Sequence, residues 1–140
     1  MTQENKDLLL KDLCARLPYS VKGRVRRNDH NNRKCEFVAT IDGKLYDRFA
    51  VFQESWYDNV TIKPYLFPLS SMNEEQKEEL LNYIQCDIIV THQEIDFIDY
   101  SDYRMENWEK LFNWLNKNHF DYRGLIPMGL ALDATVLNIY

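Results

Sequence analysis

Six cations fall within 13 residues: Lys22, Arg24, Arg26, Arg27, Arg33 and Lys34, opposed in that window only by Asp29. Val21 to Arg26 alternates strictly, which on a strand sends Lys22, Arg24 and Arg26 to one face and Val21, Gly23 and Val25 to the other. Side chains two apart on a strand lie about 7 Å from one another, near the separation of successive phosphates, so such a row suits a polyanion. Tyr46, Trp56 and Tyr57 follow in the sequence and would offer stacking surfaces to exposed bases. The competing expectation is a solvated face that keeps a sheet edge from pairing. The chain's overall balance favours that second expectation: 17 basic against 22 acidic side chains give −5, whereas nucleic-acid binders are usually basic overall.

The acids concentrate elsewhere. Residues 1–66 hold 12 basic and 9 acidic side chains, and residues 67–140 hold 5 and 13, so a polyanion approaching the second half would be repelled. Within that half His92, Glu94 and Asp96 alternate and would share one strand face. A metal site needs ligands from separate elements and supporting partners, and no second His lies near, so no metal is expected. Which of Asp96, Asp99 and Asp102 is buried, as acid/base chemistry would require, is left open. His119 reads as a packing residue beside Phe120. There is no G-x-S-x-G elbow, no Gly-rich phosphate loop and no H-E-x-x-H, so neither a catalytic constellation nor a cofactor is expected. Cys14, Cys35 and Cys86 are odd in number and far apart, which points to three buried, reduced, structural thiols and a cytoplasmic protein. No apolar run reaches the roughly 20 residues needed to span a bilayer.

Only 4 Gly and 4 Pro in 140 residues, with 45% hydrophobic and 14% aromatic side chains, indicate one globular domain over residues 1–140, large enough to bury a core without disulfides. Residues 3–17 read as a helix with Leu9, Leu10, Leu13 and Leu17 inward and Asp12 and Arg16 among the solvent-side residues, stopped at Pro18. Strands are expected at 21–26, 35–41, 44–52 and 60–63. Asp42-Gly43 should make a hairpin turn that sets Ala39 opposite Tyr46. The stiff segment Pro64 to Leu69 reads as a strap toward the helical half. Asn73 with Gln76 forms a capping box for a helix to about Ile84. Within 86–100 the apolar positions suggest one or two strands, with a hairpin around His92-Gln93 as one option, and the choice between strand and buried helix is left open. A second helix over 103–117, capped by Ser101 or Asp102, should bury Met105, Trp108, Leu111, Phe112 and Leu115 and leave Trp114 to the side. The turn-rich tail, with Leu125, Ile126, Leu130 and Leu132, should close the core. The sum is an α+β fold: a helix, a small antiparallel sheet or SH3-like partial barrel at about residues 20–63, then helices, with a second short strand pair as an option.

Three stretches carry a resemblance: LLLKDLCARLPY at 8–19, KPYLFPLSSMNEEQKEEL at 63–80 and LNKNHFDYRGLIPMGLALDATVLNIY at 115–140. Together they resemble a family of small uncharacterised proteins of anaerobic gut bacteria and their prophages or other mobile elements. The resemblance implies an accessory cytoplasmic protein and carries over no functional residue. The leading expectation is therefore a non-enzymatic protein-interaction protein of a mobile element, its partner unidentified and self-association left open. The alternatives are nucleic-acid binding through the basic strand face, and inhibition of a bacterial defence system.

Overall fold

Helix α1 (Gln3–Arg16) starts where the Thr2 hydroxyl accepts the Asn5 N–H at 3.2 Å, and ends at the tight turn Leu17 to Tyr19, which contains Pro18. The structure is a computed structural model describing residues 2–28, 31, 33–42, 61–91 and 94–140. The buried face of α1 is Leu9, Asp12, Leu13 and Arg16, so two residues expected on the solvent side are at 0% exposure. Their charges compensate each other. Arg16 Nε donates to Asp12 Oδ2 at 2.8 Å and Nη2 to Oδ1 at 3.1 Å, and Arg123 Nε reaches Oδ1 at 3.2 Å. Arg16 Nη2 also donates to the Phe120 carbonyl at 2.7 Å. Bidentate charge-assisted bonds of this kind are what allow a carboxylate and a guanidinium to leave water together.

The main sheet forms over the other half of that helix face. β1 (Lys22–Asn28) and β2 (Lys34–Thr40) pair antiparallel, with Gly23 opposite Ala39 and Val25 opposite Phe37. β3 (Thr61–Pro68) continues through Pro64, where the expected short strand was to end. The segment read as a strap is therefore the middle of the sheet. Its first half runs antiparallel to β1, and its second half runs parallel to β6 (Phe120–Asp121) and β7 (Leu132–Asp133). The backbone explains why: the Phe67 N–H finds the His119 carbonyl at 2.8 Å and the Leu66 carbonyl accepts the Ala134 N–H at 2.9 Å. The order is β2-β1-β3-β6 with β7 also on β3, so the expected antiparallel strands are extended by two parallel ones from the end of the chain into a mixed sheet. Gly23 lies opposite Pro64, and a Cβ there would sit 2.6 Å from Ile41 Cδ1 and 3.1 Å from the Lys63 carbonyl oxygen; close packing requires the glycine. Of the Asp42-Gly43 turn only Asp42 is described, and the expected strand at 44–52 lies outside the described residues.

The second half follows its sequence signals closely. Asn73 Oδ1 accepts the Gln76 N–H at 2.8 Å and Gln76 Oε1 accepts the Asn73 N–H at 3.0 Å, completing the capping box of α2 (Glu74–Ile84). β4 (Ile88–Val90) and β5 (Ile95–Phe97) form an antiparallel pair, the hairpin option for this stretch. α3 (Met105–Lys117) begins at Arg104 without a side-chain cap, not at Ser101 or Asp102 as expected, because those two residues belong to the preceding turn, Tyr100 to Asp102, which Asp99 caps by accepting the Ser101 N–H. Met105 is 86% exposed at its first position, while Trp114 is buried, stacked on Phe120 with ring centres 5.7 Å apart. Both correct the expected stripe, which turns toward Trp114 because Phe120 of the sheet lies on that side.

Two apolar cores result. One, between α1 and the sheet, centres on Leu13, Val25, Ile62, Leu66, Leu125 and Leu130. The other, between α2, α3 and the β4–β5 pair, centres on Leu69, Leu80, Ile84, Phe97, Leu111 and Phe120. The thiols contribute less than expected: Cys14 is exposed, one position around the helix from Leu13, and Cys35 and Cys86 are half-buried.

Asp12→Ala leaves Arg16 charged and buried without its carboxylate, and should lower the unfolding free energy by about 3–5 kcal/mol. Asp12→Leu combined with Arg16→Met should cost much less, since the uncompensated charge goes too. Urea unfolding of both variants checks this; a loss below about 1 kcal/mol for Asp12→Ala would contradict the role given to the pair.

Candidate interaction site

Two surfaces concentrate polar and aromatic chemistry. The first is the basic face of β1. Its alternation places Val21, Gly23 and Val25 under α1 and leaves Lys22, Arg24 and Arg26 on the opposite face, as the sequence leads one to expect. These cations are already engaged, however. Arg24 Nε and Arg26 Nε converge on Glu36 at 3.7 and 3.0 Å, with Arg24 only 17% exposed and Arg26 53%. Cross-strand pairing brings Glu36 opposite Arg26, two residues outside the basic stretch. Lys22 Nζ donates to the Ile139 carbonyl at 2.7 Å. Arg27 points to the other face, 5.7 Å from the Phe37 ring centre. Arg33, just before β2, and Lys34, its first residue opposite Asn28, are exposed. Arg26, Arg27, Lys34, Glu36 and Thr61 border an open depression of about 510 Å³. Tyr46, Trp56 and Tyr57 lie outside the described residues.

The second surface went unrecognised in the sequence because its residues come from four separate segments. Six rings touch in series from the turn before α3, across β5 and α3, to the residue after β6. Tyr100 meets Tyr103 at 5.3 Å, Tyr103 meets Phe97 at 6.0 Å and Trp108 at 5.7 Å, and Phe97 meets Trp108 edge-on at 4.7 Å. Trp108 then stacks on Phe112 at 5.6 Å, and Phe112 on Tyr122 at 4.9 Å. Trp108 and Phe112 are one helical turn apart on α3, which aligns them along one side of the helix. Phe97 anchors the row in the core, Trp108, Phe112 and Tyr122 are half-buried, and Tyr100 is 84% exposed. The one available signal was the i, i+4 aromatic pair, and it reads equally well as core.

An open groove of about 560 Å³ follows this row, lined by Tyr103, Trp108, Phe112 and Tyr122 with Ile95, Glu94, Asp96 and Arg123. Its ends differ in charge. Asp96 accepts the Tyr103 O–H at 2.9 Å, a bond that raises the Tyr103 phenol above its ordinary value. At the other end the guanidinium of Arg16 lies 5.4 Å and that of Arg123 4.9 Å from the Tyr122 ring centre. Tyr122 O–H donates to Asn116 Oδ1 at 2.9 Å and accepts from Arg123 Nη2 at 3.1 Å. The last ring of the groove is thus fastened to the buried carboxylate of Asp12.

Asp96 is also the part of the expected His92, Glu94 and Asp96 trio whose bonds are visible: its oxygens take the Phe97 N–H and the Tyr103 O–H. His92 lies outside the described residues, and among those described no group of three His, Cys, Asp or Glu is placed to hold a metal ion. The Ser101 N–H holds the Asp99 carboxyl below its ordinary value. The largest shifts fall elsewhere. His119, in the left-handed conformation at φ 62° after α3, lies flat on Tyr140 with ring centres 3.8 Å apart. Burial, helped by Arg16 and Lys22, pushes its imidazole down to about 4. Burial pushes the Tyr140 phenol up to about 12; its O–H donates to the Tyr65 carbonyl and its oxygen accepts the Lys22 N–H, both at 2.8 Å. Desolvation leads in both cases, and the stacked pair pins the tail to the sheet.

No protein-family model, curated protein or solved structure matches the chain.

His119 gives a pH dependence of known sign. Its folded value lies below the ordinary 6.5, so the unfolded chain binds the proton more tightly. Stability is full above about pH 6.5 and is lost as pH falls toward 4. Between pH 7 and pH 5 the native protein should lose about 2 kcal/mol more than His119→Asn, which keeps a residue tolerant of positive φ. Urea midpoints of both proteins at the two pH values test this; parallel losses would contradict it.

Proposed function

We propose that the protein acts without catalysis, by holding a polypeptide partner on the aromatic groove of its acidic half. The observation that carries this reading is the continuous row from Tyr100 to Tyr122, lying open along one side of α3. Aromatic side chains bring large contact area at little entropic cost, and they dominate binding at protein interfaces. The titratable groups furthest from their ordinary values, His119 and Tyr140, stack on each other and support the tail rather than a reaction centre. Nucleic-acid binding on the basic face is less favoured, because Glu36 and the Ile139 carbonyl engage Lys22, Arg24 and Arg26. An accessory protein of a mobile element that works by binding, including by blocking a defence component, is the biological form we give this reading.

Site-specific photo-crosslinking tests it. With p-benzoylphenylalanine in place of Tyr103, and separately of Val38 on the outer side of β2, extracts of the encoding organism should give a discrete polypeptide adduct at position 103 and none at 38. Nuclease-sensitive adducts at position 38, or no adduct at 103, would overturn the proposal.

A further inference from the structure

We infer that the occupant of the groove is a proline-rich segment in the extended polyproline II conformation, with a Lys or Arg beside its prolines. This rests on the reading of the groove as the interaction site and adds the chemistry of what fills it. From Tyr103 through Trp108 and Phe112 to Tyr122 the ring centres advance by 5.7, 5.6 and 4.9 Å. A polyproline II helix rises about 3.1 Å per residue, so the row accommodates at most about five of its residues. That is enough for two prolines one turn apart.

The shape excludes two other occupants. A cage for a quaternary ammonium needs rings standing around an open centre, whereas these rings touch one another at 4.7 to 6.0 Å. An amphipathic helix needs deep hollows for branched aliphatic anchors at i, i+4 and i+7. Trp108 and Phe112 stand within 24° of parallel and Phe112 and Tyr122 within 27°, and rings ranked in that way along an open groove suit the flat pyrrolidine ring. A polyproline II helix has no internal hydrogen bonds, so its carbonyls seek donors on the surface it meets. Tyr103 and Tyr122 spend their O–H groups on Asp96 and Asn116. Trp108 lines the groove between Tyr103 and Phe112, and its indole N–H, for which no hydrogen bond appears among the described residues, is the donor the row offers to such a carbonyl.

Charge selects the flanking residue. Between residues 94 and 109 stand Glu94, Asp96, Asp99, Asp102, Glu106 and Glu109 against Arg104 alone, and Glu94 and Asp96 line the groove itself, Asp96 being bonded to Tyr103. A carboxylate pair there takes a guanidinium or ammonium from the ligand and repels an acidic peptide or a nucleic acid. Arg123 at the far end disfavours a second cation, so the basic residue belongs at the Tyr103 end.

A random twelve-residue peptide library displayed on phage, selected on the intact protein, tests the inference. Selected sequences should be enriched in prolines spaced by three with a neighbouring Lys or Arg. Synthetic versions, measured by calorimetry, should bind at least about tenfold more weakly to Trp108→Ala and to Tyr103→Ala, with folding of each variant checked by circular dichroism. Glu94→Lys with Asp96→Lys should abolish the preference for a basic residue while retaining the one for proline. Enrichment of proline-free or acidic sequences, no enrichment at all, or binding unchanged in both ring variants would overturn it. A polypeptide adduct at position 103 alongside any of those results leaves the groove as an interaction site with a different ligand; loss of both removes the two readings together.

Discussion

The carboxylate of Asp12, fully buried and held by Arg16 and Arg123, is the contact on which the rest of the molecule depends. It joins the first helix to a residue 111 positions later, and through Arg16 it also fixes the Phe120 carbonyl. Those attachments keep β6 in parallel register with the end of β3, where Phe67 faces Phe120. Burying such charges is costly, and the cost is offset by the bonds Asp12 takes from both guanidiniums and by the Phe120 carbonyl, with Arg16 Nη1 left as the one nitrogen of that guanidinium without a hydrogen-bond partner among the described residues. The arrangement therefore specifies a geometry as well as contributing to stability. Tyr122 lies within cation–π reach of both guanidiniums and carries the last ring of the groove.

From that anchor the two halves take different tasks. The basic half gives three of its strand cations local partners: Glu36 for Arg24 and Arg26, the tail carbonyl of Ile139 for Lys22. The tail is held in turn by the stacking of His119 on Tyr140, and burial, helped by Arg16 and Lys22, lowers the imidazole's affinity for a proton. The acidic half leaves its aromatic row half-exposed, with the carboxylates of Glu94 and Asp96 and the guanidinium of Arg123 in its lining. The net charge of −5 is thus the sum of +3 over residues 1–66, whose strand cations Lys22, Arg24 and Arg26 have local partners, and −8 over residues 67–140, where Glu94 and Asp96 line the groove.

Local rules were legible, and combinations across distance were not. The capping box of Asn73 and Gln76, the strand pair on either side of residues 92 and 93 and the alternation of Val21 to Arg26 each depend on neighbours within a few residues, and each stands in the structure. Asp12 and Arg16 read as a solvent face because nothing near them in sequence reveals Arg123 or the Phe120 carbonyl. Pro64 and Pro68 suggested a strap, since proline removes ladder donors, yet the intervening Tyr65, Leu66 and Phe67 find strands from the far end of the chain. The groove is the extreme case: its rings come from Tyr103, from two turns of α3 and from Tyr122, and only the tertiary fold sets them in one line.

The most direct measurement is a ¹H–¹⁵N spectrum of the indole N–H groups, of which the chain has three, at Trp56, Trp108 and Trp114. A short peptide with two prolines one polyproline turn apart and a single Arg beside them is added stepwise to the labelled protein. The account predicts that the Trp108 signal, assigned with Trp108→Phe, shifts progressively to saturation while that of buried Trp114 stays in place. An unmoved Trp108 signal, or shifts confined to the amides of β1 and β2, would contradict it.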